Sequence, residues 1–396
     1  MADDEQPPAA PAPADEAPAG RGRRPRRTVL KVVLVTQLVM AILTATTVYF
    51  VWNQLENELP PGLAIPRPAG MEKPEAEGPL NILVMGSDDR SCAGCGIDAE
   101  AGAGGSDTTM LLHVSADREE AYGVSLPRDA MVDRPACTTA DGKRVPGERA
   151  VMFNTAFAVG GPLCTVQMVQ VLTGVYVDHF IVLDFAGFQD MVDAVDGVTV
   201  CLPKEVDDPE HDIYFDAGTQ ELDGRQSLNY VRERTVLSAT GDIGRMKRQQ
   251  AFLASMVNKV MSANTLSQPT RVRAFLKAVV GSIQVDEDLD RIRDLADLAM
   301  QFRRTGLQDI KFVTVPIEEY PLDADRLQWT DDADALWKRM IADEPLGRSF
   351  SDGSISAAKP PTSESPAPSS PSSQSPQATE AEQQDREQAL ANGLCA

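Results

Sequence analysis

Apolar and polar residues fall in blocks along this chain, and the blocks divide it before any motif is read. Residues 1–20 combine Ala, Pro and acidic side chains with no apolar period, the composition of a disordered tail. Arg21, Arg23, Arg24, Arg26 and Arg27 follow, and from Val29 to Trp52 the chain is almost continuously apolar. Such a run reaches the ~20 residues needed to cross a bilayer. Lys31 sits at its edge and can snorkel; Tyr49 and Trp52 lie at the far end, where interfacial aromatics belong. The basic cluster precedes the run, so residues 1–28 are expected in the cytoplasm and everything after 52 outside the membrane. A cleaved signal peptide is the competing reading. The run exceeds an h-region of about 7–15 residues, and no Ala-x-Ala site follows it cleanly.

Residues 53–78 are rich in Pro, Glu and Gly and predict a linker. Residues 79–345 carry mixed helical and strand patterning and predict the folded domain. From 346 to 396 the chain turns Ser/Pro/Gln-rich and predicts a disordered tail, with a short helix near 378–391. No internal repeat is visible. Inside 79–345, short apolar runs predict strands at 80–85 (LNILVM), 108–114, 120–126, 178–185, 198–202 and 310–315. Helical patterning marks 151–159 and 162–172, divided by Gly160-Gly161, and then 187–195, 270–280 and 289–304. Asp223 is a plausible N-cap for a helix to 232, and 245–261 places Phe252, Met256, Val257 and Val260 on one face. Strands alternating with helices predict an α/β fold: an α-β-α sandwich with a mixed central β-sheet, preceded by one transmembrane helix.

Composition narrows the function. Across 396 residues, 59 acidic against 37 basic side chains leave a net charge of −22, which excludes the basic face that nucleic-acid binding needs. Three histidines, His113, His179 and His211, exclude a His-rich metal site. His113 and His179 sit in predicted strands and read as structural. No Gly-x-Ser-x-Gly, His-Glu-x-x-His, P-loop or strand-following Gly-x-Gly-x-x-Gly occurs.

Arginines stand out against that acidity: Arg90, Arg128, the pair Arg232 and Arg234, and Arg245 with Arg248, all beside turns or a helix start. Guanidinium forks bind phosphate oxygens bidentately and keep their charge, so convergence of several suits a pyrophosphate. Arg245 and Arg248 are three apart on one predicted helix and are expected to share a face, with Gln249 adding a neutral donor. The N-terminus of that helix, near 242–244, would add backbone N–H groups for an anion. Asp88 and Asp107 follow and open adjacent strands; two carboxylates facing phosphates fit one Mg²⁺. The bland alternative, arginines paired with carboxylates on a solvated surface, is the better reading for any one of them and the poorer one for the set.

These blocks resemble the LytR-CpsA-Psr (LCP) family of bacterial envelope proteins. The similar stretches are Asn81-Ile-Leu-Val-Met-Gly-Ser-Asp-Asp-Arg90, Ser106-Asp-Thr108, Val124-Ser-Leu-Pro-Arg-Asp129, Asn154-Thr-Ala-Phe-Ala-Val-Gly-Gly161, Val192-Asp-Ala-Val-Asp-Gly-Val198, the segment 217–224, Tyr230-Val-Arg-Glu-Arg234 and the segment 244–250. They occur in the family's order over about 79–317. The resemblance implies an LCP-like fold and a membrane-anchored phosphotransferase. It would move a glycopolymer from a polyprenyl-pyrophosphate carrier to a cell-wall acceptor, usually peptidoglycan. It further implies Asp88 and Asp107 as Mg²⁺-linked aspartates. Arg128, Arg232, Arg234, Arg245 and Gln249 are implied as pyrophosphate contacts, with Arg90 and Arg248 as neighbours and Asp129 as a general base. Asp107, Arg128 and Asp129 form the expected catalytic set. The apolar helical stretches 252–260 and 166–172 are expected to line a groove for the lipid. One departure is Gly105, where the family carries Arg before Ser-Asp.

Two other readings remain open: a non-catalytic module that binds polyprenyl pyrophosphate or wall polymer and regulates the envelope, and a lipid pyrophosphate hydrolase. Six cysteines outside the membrane predict disulfides. Cys92 with Cys95 and Cys137 with Cys164 are the expected pairs; Cys395 is expected to stay unpaired or to pair between chains.

Overall fold

The apolar runs anticipated as strands assemble into one seven-stranded mixed sheet. The computed structural model describes residues 26–73, 78–87, 105–209, 213–233, 236–237, 239–262, 265, 267–361 and 376–395. The sheet strands are β1 (Leu80–Ser87), β2 (Ser106–Val114), β3 (Ala121–Leu126), β4 (His179–Leu183), β5 (Ile283–Val285), β6 (Ile310–Thr314) and β7 (Ile355–Ser356). Their order is β5-β4-β1-β2-β3-β6-β7, with β1/β4 and β3/β6 parallel and the remaining pairs antiparallel.

Because side chains alternate along a strand, each strand feeds both faces of the sheet. On one face, Leu83, Leu111, Val124, Phe180 and Val313 pack with helix α2 (Thr155–Thr173) and a late helix, Asp332–Ile341, in one buried cluster. On the other, Met110 and Phe312 pack with helix α5 (Asp242–Met261). Helices α3 (Phe185–Ala194) and α4 (Gly224–Arg232) lie beside α5, backed by the antiparallel strand pair Val198–Leu202 and Gly218–Leu222. This is the sandwich expected. Asp223 caps α4 through a capping box with Gln226, so the local signal there was sufficient.

The chain divides into two units, up to Asn53 and Gln54–Ala396. Most of the described part of the first is helix α1 (Arg26–Glu58), whose apolar side chains, Leu34, Leu38, Ile42 and Phe50 among them, are exposed. The stretch Leu30–Glu58 is long and apolar enough to cross a membrane. The helix therefore continues past 52 into the expected linker. In the second unit Leu55 and Leu59 are buried, and Leu63 exchanges backbone hydrogen bonds with Val285 and Glu287. Sparse leucines among Pro and Glu hid this packing from composition.

Two further elements differ from expectation. Val151 and Met152 are strand rather than helix, because Glu148–Met152 pairs with Met131–Arg134. Helix α2 starts after it and kinks at Gly161, whose φ is +67°. At Gly160 a Cβ would lie 2.2 Å from Cys164 Sγ, so this glycine makes room for a disulfide.

The C-terminal region departs most. Strand β7 pairs with β6, and Lys247 Nζ and Asn258 Nδ2 donate to the carbonyls of Gly353 and Ala357. A helix at Pro376–Ala391 ends in a buried turn where Ala239 N donates to Ala391 O and Thr240 Oγ1 to Asn392 Oδ1. Cys137 pairs with Cys164, as expected, and Cys395 with Cys201 rather than with none. The latter link spans 194 residues, so nothing local announced it. Cys92 and Cys95 lie outside the described residues.

Candidate active site

Asp107 owes its position to a β-bulge. In the β1/β2 ladder Gly86 faces Thr108 and Ser87 faces Ser106, so Asp107 is the extra residue between them. A bulge re-aims a side chain, here toward the turn that follows β3. That turn, 127–130, is closed by Ala130 N on Pro127 O and carries Arg128 and Asp129. It is held from outside as well: Asn154 N and Phe153 N donate to the carbonyls of Arg128 and Ala130.

Arg128 reaches three carboxylates. Its Nη1 donates to Asp107 Oδ1 at 2.5 Å, its Nη2 lies 3.6 Å from Asp242 Oδ1, and its Nε lies 3.5 Å from Asp129 Oδ2. Asp242 opens α5 and also receives Arg245 Nη2 at 2.7 Å. The result is a continuous chain, Asp107–Arg128–Asp242–Arg245, across three elements far apart in sequence. Burial opposes the Arg128 charge, but Asp242, Asp107 and Asp129 outweigh it and raise its pKa above the usual arginine value.

Beneath this polar group lies a cavity of about 460 Å³ between the sheet and α5. Asp107, Arg232, Arg245 and Gln249 line its polar part, while Val84, Met110, Leu112, Phe252, Val257 and Phe312 line the rest. Arg232, in the last turn of α4, stands 4.8 Å over the Phe185 ring, a cation–π contact. Gln249 Nε2 donates to Val231 O. The expected groove stretch 252–260 does line the cavity. The stretch 166–172 does not: Val166, Met168 and Val169 belong to the core on the opposite face of the sheet.

Arg248 also departs from expectation. It is absent from the cavity wall; its Nη2 donates to Glu233 O and lies 3.4 Å from Glu233 Oε2, both partners buried. Three residues advance a helix ~300°, so Arg248 falls short of the face that Arg245 and Gln249, four apart, share. Burial lowers the Arg248 pKa, with Tyr230 and Glu233 opposing. Asp88, Arg90 and Arg234 lie outside the described residues.

Asp242 and Arg326 are missing from the sequence reading. Asp242 had a signal, an acid in a helix's first turn, where it complements the dipole. Arg326 had none. It comes from a hairpin, Ile317–Tyr320 with Asp323–Trp329, and its Nη1 lies 3.5 Å from Asp129 Oδ1. Nothing among the described residues groups three metal ligands. Even so, Asp107 offers hard carboxylate oxygens, and Asp242 Oδ2 is buried without a hydrogen-bond partner, a donor chemistry that fits Mg²⁺.

Fold and site together define an α/β sandwich whose apolar cleft is headed by arginines and carboxylates. Residues 58–341 match the sequence model of the LytR_cpsA_psr family, and the chain belongs to that family. It is 33% identical over 267 residues to the "Cell wall biosynthesis protein LcpA" of Corynebacterium glutamicum, covering 61% of this chain and 51% of that one. It is 30% identical over 217 residues to the "Polyisoprenyl-teichoic acid--peptidoglycan teichoic acid transferase TagU" of Oceanobacillus iheyensis, covering 54% and 61%. The chain thus spans about half the length of the curated relatives it matches. The fold is that of the "LytR-Csp2A-Psr enzyme from Actinomyces oris", with a TM-score of 0.54 at 19% identity over 72% of this chain and 96% of that one.

Proposed function

We propose that this protein is a phosphotransferase that moves a glycopolymer from a polyprenyl-pyrophosphate carrier to a peptidoglycan acceptor. One observation carries the reading: a cationic, carboxylate-bridged head opens directly onto an apolar cavity. That is the shape of an isoprenoid pyrophosphate, charged at one end and apolar at the other. The name of the relative TagU supports the same substrate class.

The chemistry follows from charge. An acceptor hydroxyl attacks the glycan-side phosphorus; its oxygen–phosphorus bond forms as the bond to the bridging oxygen breaks. Lipid monophosphate leaves with the electron pair, and the hydroxyl proton passes to the Asp129 carboxylate. Arg128, Arg232, Arg234 and Arg245, with Gln249 and Arg90, hold the pyrophosphate and stabilise charge building on its oxygens. Mg²⁺ held by Asp107 with Asp88 would neutralise further charge on the phosphates. Arg248 serves the fold around the site. The exposed apolar helix α1 anchors the protein by a single span, with the N-terminus cytoplasmic and the catalytic domain extracellular.

The test uses the full chain in detergent, a radiolabelled polyprenyl-pyrophosphate glycan and a peptidoglycan acceptor, with and without Mg²⁺. Label should move to the acceptor, and Arg128→Ala or Asp107→Ala should each slow transfer by about 10²–10³-fold in folded protein. Label that binds but never moves would leave a binding module instead.

A further inference from the structure

Gln250 follows Gln249 but does not line the cavity. It is fully buried, and its Nε2 donates to Ser125 Oγ and to Thr314 Oγ1, each at 2.9 Å. Those hydroxyls are register partners on the adjacent parallel strands β3 and β6. A buried amide costs free energy unless it is bonded, and its Oε1 has no partner here. Apolar side chains at all three positions would fill the space without that cost.

What the amide adds is direction. Ser125 stands three residues before Arg128 on the strand that leads into the turn. Gln250 shares α5 with Asp242, Arg245 and Gln249. Gln250 therefore joins the elements that carry the two halves of the anion site, behind the Arg128–Asp242 pair that links them at the site itself. Apolar contacts further along α5 tolerate small shifts in exchange for repacking, whereas two directional bonds to different strands fix both the rotation and the advance of the helix.

We propose that Gln250 is a positioning residue that sets Arg245 and Gln249 in register with Arg128 and Asp107. The proposal rests on the transferase reading, and Gln250 acts only through the two hydroxyls.

The test compares Gln250→Met with the wild-type full chain in the label-transfer assay. Misplacement by a fraction of an ångström to an ångström should lower kcat by about ten- to hundredfold while the donor KM stays within about threefold. Backbone amides from Leu126 to Ala130 should exchange hydrogen about tenfold faster. Ser125→Ala with Thr314→Val should reproduce the loss, and adding Gln250→Met to that pair should change little more. An unchanged kcat in folded Gln250→Met, a loss no larger than its unfolded fraction, or full additivity with the pair would overturn the proposal. If Gln250→Met does not fold, the Ser125/Thr314 pair decides, and unaltered kcat there overturns it. If the wild-type chain transfers nothing, the transferase reading falls by itself. The exchange rates then judge Gln250 alone, and unchanged exchange at 126–130 sinks it.

Discussion

The two faces of the central sheet draw on the same strands, one residue apart, yet one is filled and the other holds a cavity. On the filled face, Leu83, Leu111, Val124 and Val313 interlock with Leu163, Val166, Met168, Trp337 and Met340, all buried. On the open face, Val84, Met110, Leu112 and Phe312 look across empty volume at α5. The strands are apolar on both sides, so the difference lies in the helices. Helix α2 meets the sheet through interdigitating apolar side chains. The first half of α5 is tied instead by polar contacts: Asp242 to Arg128, Arg248 to Glu233, and Gln250 to Ser125 and Thr314. An unfilled cavity forfeits dispersion contacts, so the open face depends on those ties, while the filled face depends on packing.

The sharpest way to break this contrast is Arg248→Ala. It breaks the buried pair with Glu233, whose carboxylate also accepts from Val236 N and Leu237 N. Urea denaturation should show a loss of ~3–5 kcal/mol. On the filled face Met168→Ala should cost ~2–5 kcal/mol by leaving a cavity, with transfer per folded molecule unchanged; a proportional fall in kcat would erase the division of labour between the faces. Leu253→Glu places a charge in the apolar lining. It should weaken binding of polyprenyl pyrophosphate at least about tenfold, since burying an unpaired charge is disfavoured, while circular dichroism stays native. Normal lipid binding by that folded variant would remove the groove assignment.

The smallest expected effect belongs to His113, buried among Asn81, Tyr122 and Asp343. Burial lowers its pKa, with Asp343 opposing. The folded state then binds fewer protons than the unfolded chain, so stability is full above the unfolded value of about 6.5 and declines as pH falls through the folded one. Tm should drop on acidification from about pH 7.5 to 5.5, and His113→Gln should flatten part of that slope.

The sequence by itself determined the parts whose signals are local. Hydrophobic periodicity placed β1, β2, β3, β4 and β6, the Asp223 cap marked α4, and the long, almost continuously apolar run from Val29 marked an apolar helix. Arginines clustered beside turns pointed to anion chemistry as a set, although any one of them could equally have paired with a carboxylate. Only the tertiary structure decided how those pieces converge. The bulge that turns Asp107 toward Arg128 depends on strand register, which no single strand encodes. Arg245 and Arg248 look equivalent on a helix until packing assigns one to the cavity and the other to Glu233. Cys395, Asp242 and Arg326 gained their roles from partners up to 197 positions away in Arg326 and Asp129's case. Long-range closure of this kind is set by which folded surfaces meet, a property of the assembled core and not of any segment.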